Sequence, residues 1–239
     1  MMIKIGCCGF PVNRSIYYQT FKVVEIQQTF YQLPKIETVR KWREETPSDF
    51  EFTVKVWQII THPPSSPTYR RLKLPVSEER KENYGFFKPT DEIFSAWQKT
   101  EEICTLLGTK IVLFQSPASF TPSSDHKKNI REFFNSIERK NYIFVWEPRG
   151  KWREEEIKEL CQELELVHGV DPFKNQPVYG QLKYFRLHGK DGYRYHYTDE
   201  DFKWLRNWLN KEIGTYFMFN NVFMFEDAKK FQELTKIVR

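Results

Sequence analysis

Cysteine is scarce in this chain: four residues in 239, with Cys7 and Cys8 adjacent and Cys104 and Cys161 in helix-like segments. Such spacing excludes a disulfide framework and a CxxC metal motif. Buried free thiols are expected, with a reactive thiol at Cys7 or Cys8, which close a strand ahead of Gly9, as the less favoured alternative. Long apolar runs are missing as well. Nothing approaches the roughly 18 apolar residues of a bilayer-crossing helix, and the opening MMIKIGCCGF lacks the charged, apolar and cleavage regions of a signal peptide. A cytosolic protein with no membrane partner is expected. There is also no GxGxxG after the first apolar run, no GxxxxGK(S/T) and no GxSxG, so dinucleotide, nucleoside triphosphate and esterase-elbow readings lose their usual support.

What is present argues for a folded core. Apolar residues make up 40% and aromatics 17%, more than a disordered chain carries, and the length suits a single barrel domain spanning 1–239. The net charge of +5 is a mild surplus that favours an anionic partner without being the footprint of a dedicated nucleic-acid protein. Two stretches, RKWRE (40–44) and TYRRLKL (68–74), are basic and aromatic. A solvated face explains either one equally well.

Eight β-rich runs recur at 3–8, 23–28, 50–56, 110–115, 142–147, 164–170, 183–188 and 216–221. Helix-period segments with acidic or Thr starts separate most of them, at 36–45, 90–107, 126–139, 153–162 and 198–212, and a last one at 225–238 closes the chain. This alternation predicts an α/β fold, a TIM (β/α)8 barrel. Two connections depart from the ideal: DPFKNQPVYGQ (171–181) is too short and Pro-rich for a full helix, and the segment 57–89 after the third strand reads as a long irregular loop projecting over the carboxyl-end face.

One strand carries an odd pattern. In LKYFRLHG (182–189), Tyr184, Arg186 and His188 fall on one face and Phe185 and Leu187 on the other. In a barrel the carboxyl ends of all strands converge on one mouth, so polar residues that look misplaced along each run become neighbours there. They are Glu25 and Gln27, Lys55, Gln115, Glu147, Asp171, Arg186 and His188, and Asn220 and Asn221, with His62 and Arg149 just beyond.

The ordered motifs VEIQQTFYQLP (24–34), FTVKVWQIITH (52–62), LFQSPASF (113–120), WEPRGKW (146–152), VDPF (170–173), YFRLHGKDGYRYHY (184–197) and MFNN (218–221) resemble the YecE-like proteins, domain of unknown function family 72, over nearly the whole chain. The resemblance implies a TIM barrel and leaves the activity open. The family's motif positions fall on Glu25, Lys55, His62, Gln115, Glu147, Arg149, Trp152, Asp171, Arg186, His188, Gly189, Tyr197, Asn220 and Asn221. One departure is GCCGF (6–10), where many relatives have Gly-x-Ser-Gly-Trp; it argues against an indispensable serine nucleophile at that strand.

Chemically, Glu25, Glu147 and Asp171 are candidate acids and bases, since clustered carboxylates push their pKa values apart, and His188 is a candidate for proton transfer. Arg186 with Lys55 is expected to hold an anion, beside His62, Gln115, Arg149, Tyr197, Asn220 and Asn221 as substrate-binding groups. On that reading Arg186→Ala abolishes anion binding and leaves the fold largely intact. A divalent metal held by Glu147, Asp171 and a histidine is possible, whereas strand-end histidines are too few for a trinuclear zinc site. Three functions compete: a hydrolase or related enzyme on a phosphorylated or nucleic-acid-like substrate, a glycosidase with paired carboxylates and Trp57, Tyr69, Tyr193 or Tyr195 stacking on sugar, and a non-catalytic binder of an anionic small molecule or nucleic acid. A plainer reading stands beside them, in which Glu147 with Arg149, or Glu25 with Lys55, form buried ion pairs only.

Overall fold

The computed structural model describes residues 2–74, 76–209 and 212–236. Eight strands, β1 Ile3–Cys8, β2 Val23–Ile26, β3 Glu51–Lys55, β4 Ile111–Ser116, β5 Ile143–Pro148, β6 Val167–Val170, β7 Leu182–Leu187 and β8 Gly214–Phe219, close into a barrel in chain order. Every pairing is parallel, including β1 with β8. The α/β TIM barrel expected from the sequence is what the chain forms.

Strand alternation divides the core in two. Val23, Leu113, Val145, Val167, Tyr184 and Met218 pack together inside the barrel, while Val24, Val112, Phe114, Trp146, Phe185 and Phe217 face outward beneath the helices. The sixth run is shorter than its apolar pattern suggests: Leu164 caps the preceding helix and Glu165 turns the chain at φ 50° before β6 begins.

The helices α1 Arg14–Thr20, α2 Gln28–Tyr31, α3 Ile36–Glu44, α4 Gln58–Thr61, α5 Asp91–Leu107, α6 Ser124–Ser136, α7 Glu154–Glu163, α8 Asp199–Arg206 and α9 Met224–Lys236 cover the outside. Capping fixes several of these starts: Thr90, Ser123 and Thr198 each accept a backbone N–H from the first turn of the helix they precede. α1, α2 and α4 are too short to show a 3.6-residue period, and α1 is set by its Asn13 cap and by Tyr17 and Tyr18 turned into the core. The helix expected over 198–212 ends at Arg206, after which Asn207, Trp208 and Leu209 close with i−3 turns; residues 210–211 and the expected end of α9 at 237–238 lie outside the described residues. Among the described residues no helix separates β6 from β7, and none is long and apolar enough to cross a membrane.

The long segment after β3 contains α4 and two 3-10 turns, Pro67–Arg71 and Glu78–Asn83. It returns to its own start: Gly85, Phe86 and Phe87 donate to the carbonyls of Ile59, Thr61 and Ile60. Gly85 sits at φ +77°, and a methyl group there would stand 2.5 Å from the His62 carbonyl carbon. Gly85→Ala is expected to lower stability by about 1–3 kcal/mol through backbone strain and that clash, seen as an earlier urea midpoint. An unchanged midpoint would mean the segment is not pinned there.

Candidate active site

At the carboxyl end the inward-facing positions turn from apolar to polar. Thr53 and Tyr184 mark the change, with their hydroxyls 2.7 Å apart, and the Tyr184 hydroxyl donates to Glu25 Oε2 at 3.0 Å. Above them the Arg186 guanidinium is fully buried. Its Nε and Nη2 meet the two oxygens of Glu25 at 3.0 and 2.8 Å, and its Nη1 donates to Glu147 Oε2 at 2.8 Å. Burial disfavours this charge, but Glu25 and Glu147 outweigh burial and raise the arginine pKa well above its usual value.

Glu147 is the hub of the layer. Its Oε1 pairs with Arg149 Nη2 at 2.7 Å and lies 3.4 Å from His188 Nε2. Burial alone would raise its pKa, yet Arg149 and Arg186, helped by His188, hold it well below the ordinary 4.5. His188 is pushed down to about 4, chiefly by burial, so its ring is neutral at neutral pH. Gln27 orients that ring indirectly. Its Nε2 donates to the Cys8 carbonyl and to Asn220 Oδ1, which turns Asn220 Nδ2 toward His188 Nδ1 at 3.1 Å. Asn220 thus presents a donor to Nδ1, while Nε2 lies between Glu147 Oε1 and the Arg149 Nη2 donor, so Arg149 and Asn220 grip the ring from its two nitrogens.

Lys55 differs from the two arginines. It is 4% exposed, its Nζ donates to Gln115 Oε1 at 2.7 Å and stands 3.6 Å above the Phe30 ring, and among the described residues it has no carboxylate at ion-pair distance. Burial, with Arg186 next, pushes its pKa down from 10.5 to about 7 against the pull of Glu25 and Glu147. His62, edge-on to the same Phe30 and bonded through Nδ1 to Thr61 Oγ1, is driven to about 3 by burial and by Lys55. Beside this layer a cavity of about 110 Å³ opens between the loops after β5 and β6, lined by Glu147, Arg149, Trp152, His168, Asp171 and Lys174 among others.

A family model described as protein of unknown function DUF72 matches residues 13–239. The chain belongs to this family. Over 46 residues it is 46% identical to the UPF0759 protein YecE of Escherichia coli K12, a match that covers 19% of this chain and 17% of that relative. DUF72 family structures from Enterococcus faecalis V583 (TM-score 0.74, 20% identity, 98% of each chain) and Thermotoga maritima MSB8 (TM-score 0.73, 20% identity, 99% and 100%) share the fold. Endonuclease IV of Thermus thermophilus does so more distantly, with a TM-score of 0.53 at 8% identity over 98% of each chain.

The DUF72 barrel joins Glu25, Glu147, Arg149, Arg186, His188 and Asn220 in one connected network, with the Lys55–Gln115 pair beside it in the same layer. His62 adjoins it. Other expectations need correction. Arg186 has no surface open to an anion, because both carboxylates already occupy it. Glu147 cannot serve as the protonated acid, since two arginines keep it ionised. Asp171 accepts the backbone N–H groups of Phe173 and His188, tying the ends of β6 and β7 together. Tyr197 accepts from Gly189 N, and the fully buried Asn221 donates to the Tyr195 carbonyl and Asp227; both hold loops and line no mouth. The Glu147–Arg149 ion pair is present, but Glu25 pairs with Arg186 and not with Lys55.

Among the described residues no three His, Cys, Asp or Glu side chains are grouped to hold a metal; the oxygens of Glu147 and Asp171 are turned to arginines and backbone amides. Both thiols are buried. Burial, then the nearby Glu25, lifts Cys8 well above its ordinary pKa, and burial lifts Cys7 likewise, so neither is a ready nucleophile. Of the four aromatics considered for sugar stacking, Trp57 is buried, Tyr69 and Tyr195 commit their hydroxyls to the His62 carbonyl and Asp201, and Tyr193 is exposed. Gln27, Phe30, Thr53 and Tyr184 complete the site. Tyr184 and Gln27 were visible as i−2 and i+2 companions of Arg186 and Glu25, but Phe30 lies on a separate short helix and gave no sequence signal.

Proposed function

We propose that this DUF72 barrel is an enzyme that takes an anionic substrate, of the phosphorylated or nucleic-acid-like kind, at its carboxyl-end mouth. The supporting observation is the ion pairing in the polar layer at the mouth. Three cations, Lys55, Arg149 and Arg186, share two carboxylates, Glu25 and Glu147, and Lys55 is left without either. Arg149, with a side chain 30% exposed and its Nε unpartnered, faces the cavity that Lys174, Asp171 and Glu154 also line. Arg149, on the cavity, thus takes the anion-binding role expected of Arg186, with Lys55 the unpaired cation of the layer beside it. The cavity is well above the ~10–15 Å³ that admits one water.

Neutral His188, steadied by Asn220 and next to Glu147, suits the transfer of a proton to or from water or substrate. The resemblance to endonuclease IV is one of fold and is compatible with a nucleic-acid-like substrate. A glycosidase reading has less support, because Glu25 and Glu147 are clamped on one guanidinium and Glu147 stays ionised, whereas that chemistry needs one protonated carboxyl.

Titrating inorganic phosphate and pyrophosphate by calorimetry checks the anion site. Arg149→Met is expected to weaken pyrophosphate binding about tenfold, the loss of one charge-assisted contact. Equal affinity in Arg149→Met and Lys55→Met would remove the site. Binding without turnover across phosphoesters and oligonucleotides would favour the non-catalytic binder.

A further inference from the structure

We propose that Lys55 is a nucleophilic amine that forms an imine with a carbonyl compound bearing a phosphate or carboxylate. This deepens, and rests on, the anionic-substrate reading of the same mouth. The geometry comes first. Lys55 is the last residue of β3 and projects to the barrel interior, as Thr53 does two residues earlier. Every other cation of the layer is fastened to a carboxylate, whereas Nζ has one neutral partner, Gln115 Oε1, and an aromatic face, Phe30.

A buried lysine without a counter-ion, close to other cations, is the arrangement that keeps an amine unprotonated and therefore nucleophilic near neutral pH. The charged groups around it act in that sense and against it: Arg186 from β7 and Arg149 beyond β5 disfavour the ammonium, and Glu25 from β2 and Glu147 from β5 favour it. His62, at the end of α4, is neutral and adds no charge. Burial decides the balance, and about half of Lys55 is free amine at pH about 7.

The chemistry balances without an added oxidant or reductant. The Nζ lone pair forms the N–C bond as the carbonyl π bond breaks, and one proton leaves nitrogen for the oxygen, giving a carbinolamine. The C–O bond then breaks, the oxygen departs as water with the second nitrogen proton, and the C=N bond remains. Neutral His188 is the group in the layer best suited to carry these protons. Arg149, at the cavity and close enough for its charge to act on Lys55, holds the phosphate or carboxylate and selects anionic over neutral carbonyl compounds.

The test uses the full chain with dihydroxyacetone phosphate, pyruvate and neutral dihydroxyacetone as probes. Borohydride reduces any imine to a stable amine, and peptide mass spectrometry finds its position. The expected result is an adduct on Lys55, at least about tenfold more with one anionic probe than with dihydroxyacetone, a ratio corresponding to one charge-assisted contact. Which anionic probe dominates tells phosphate from carboxylate. Trapping should rise to half its plateau near pH 7, follow Lys55 and not the surface lysines, and vanish in Lys55→Met and in Lys55→Arg, the latter keeping the charge while removing the nucleophile.

Adducts scattered over surface lysines, undiminished trapping in either variant, or no adduct with any probe would overturn the imine. Mapping on the native protein decides the matter even where a variant fails to fold. The two ideas fail separately: pyrophosphate bound with no adduct defeats the imine alone, while equal trapping of dihydroxyacetone with no phosphate affinity defeats the anion site alone.

Discussion

Replacing Arg186 by methionine is expected to cost about 3–5 kcal/mol of folding stability, the usual penalty for breaking a buried ion pair by removing one partner. The fully buried guanidinium bonds both oxygens of Glu25 and one of Glu147 and makes four of the layer's hydrogen bonds to them and to Gln27. Without it Glu25, also fully buried, is left with the Tyr184 hydroxyl and the weak Cys8 thiol as donors and no counter-charge bonded to it. Urea unfolding at pH 7 reads the loss, and a drop below about 1 kcal/mol would mean that water or a rearranged Arg149 replaces the guanidinium. A second change, Glu25→Gln in the same chain, should recover part of the loss by removing the stranded charge.

The pH dependence follows with a definite sign. The folded pKa of Glu147 lies well below its ordinary 4.5, so in acid the unfolded chain binds the proton first. Its contribution is complete above pH ~4.5 and is lost as pH falls toward the folded value. Arg186→Met removes one of the two arginines that depress that pKa, so the gap between variant and native protein should narrow as pH falls below about 4.5. A gap constant from pH 7 to pH 3 would contradict the assignment. The expectation that Arg186→Ala leaves the fold intact is therefore reversed.

Lys55→Met should act in the opposite direction and stabilise the protein. Holding Lys55 at a pKa of about 7 against 10.5 in the open chain has a ceiling near ~5 kcal/mol at about 1.4 kcal/mol per pH unit. Subtracting the lost Phe30 and Gln115 contacts leaves an expected gain of about 2–4 kcal/mol at pH 6. Between pH 7 and 10.5 the unfolded chain binds more protons at this residue than the folded one, so this residue's part of native stability rises with pH and the advantage of methionine shrinks across that window. Urea midpoints at pH 6 and pH 9.5 measure both. A destabilised variant at pH 6 would show that the lysine is there for packing. A stabilised one identifies a residue retained against folding stability, as groups kept for function are.

Much of this was legible in the linear chain, and the misreadings share one cause. Spacing of apolar runs gave all eight strands and the helix-free link before β7, because a strand's two-residue period and a parallel crossover's length are local properties. Alternation put Tyr184, Arg186 and His188 on one face, and the structure keeps them inside the barrel. Pairing was different. Glu25 and Lys55 look like natural partners on neighbouring strands, yet Glu25 reaches across the barrel to Arg186 on β7. No sequence distance encodes that choice.

The short helices escaped for a related reason. α2 and α4 contain four residues each, too few for a period. Phe30 in α2 and His62, the residue that ends α4, set the surroundings of Lys55. Likewise Tyr197 and Asn221 sit in motifs beside mouth residues, but the loops fold them outward onto Gly189 and Asp227.

By itself, then, the sequence determined the barrel, the end of it that gathers polar groups, and the residue types gathered there, since each depends on local periodicity and on the shared direction of parallel strands. Only the tertiary structure decided which charges cancel. Ion pairing inside a barrel is set by distances across the interior and by how deeply each group is buried, and those made Arg186 a fastened structural cation and left Lys55 the unpaired one.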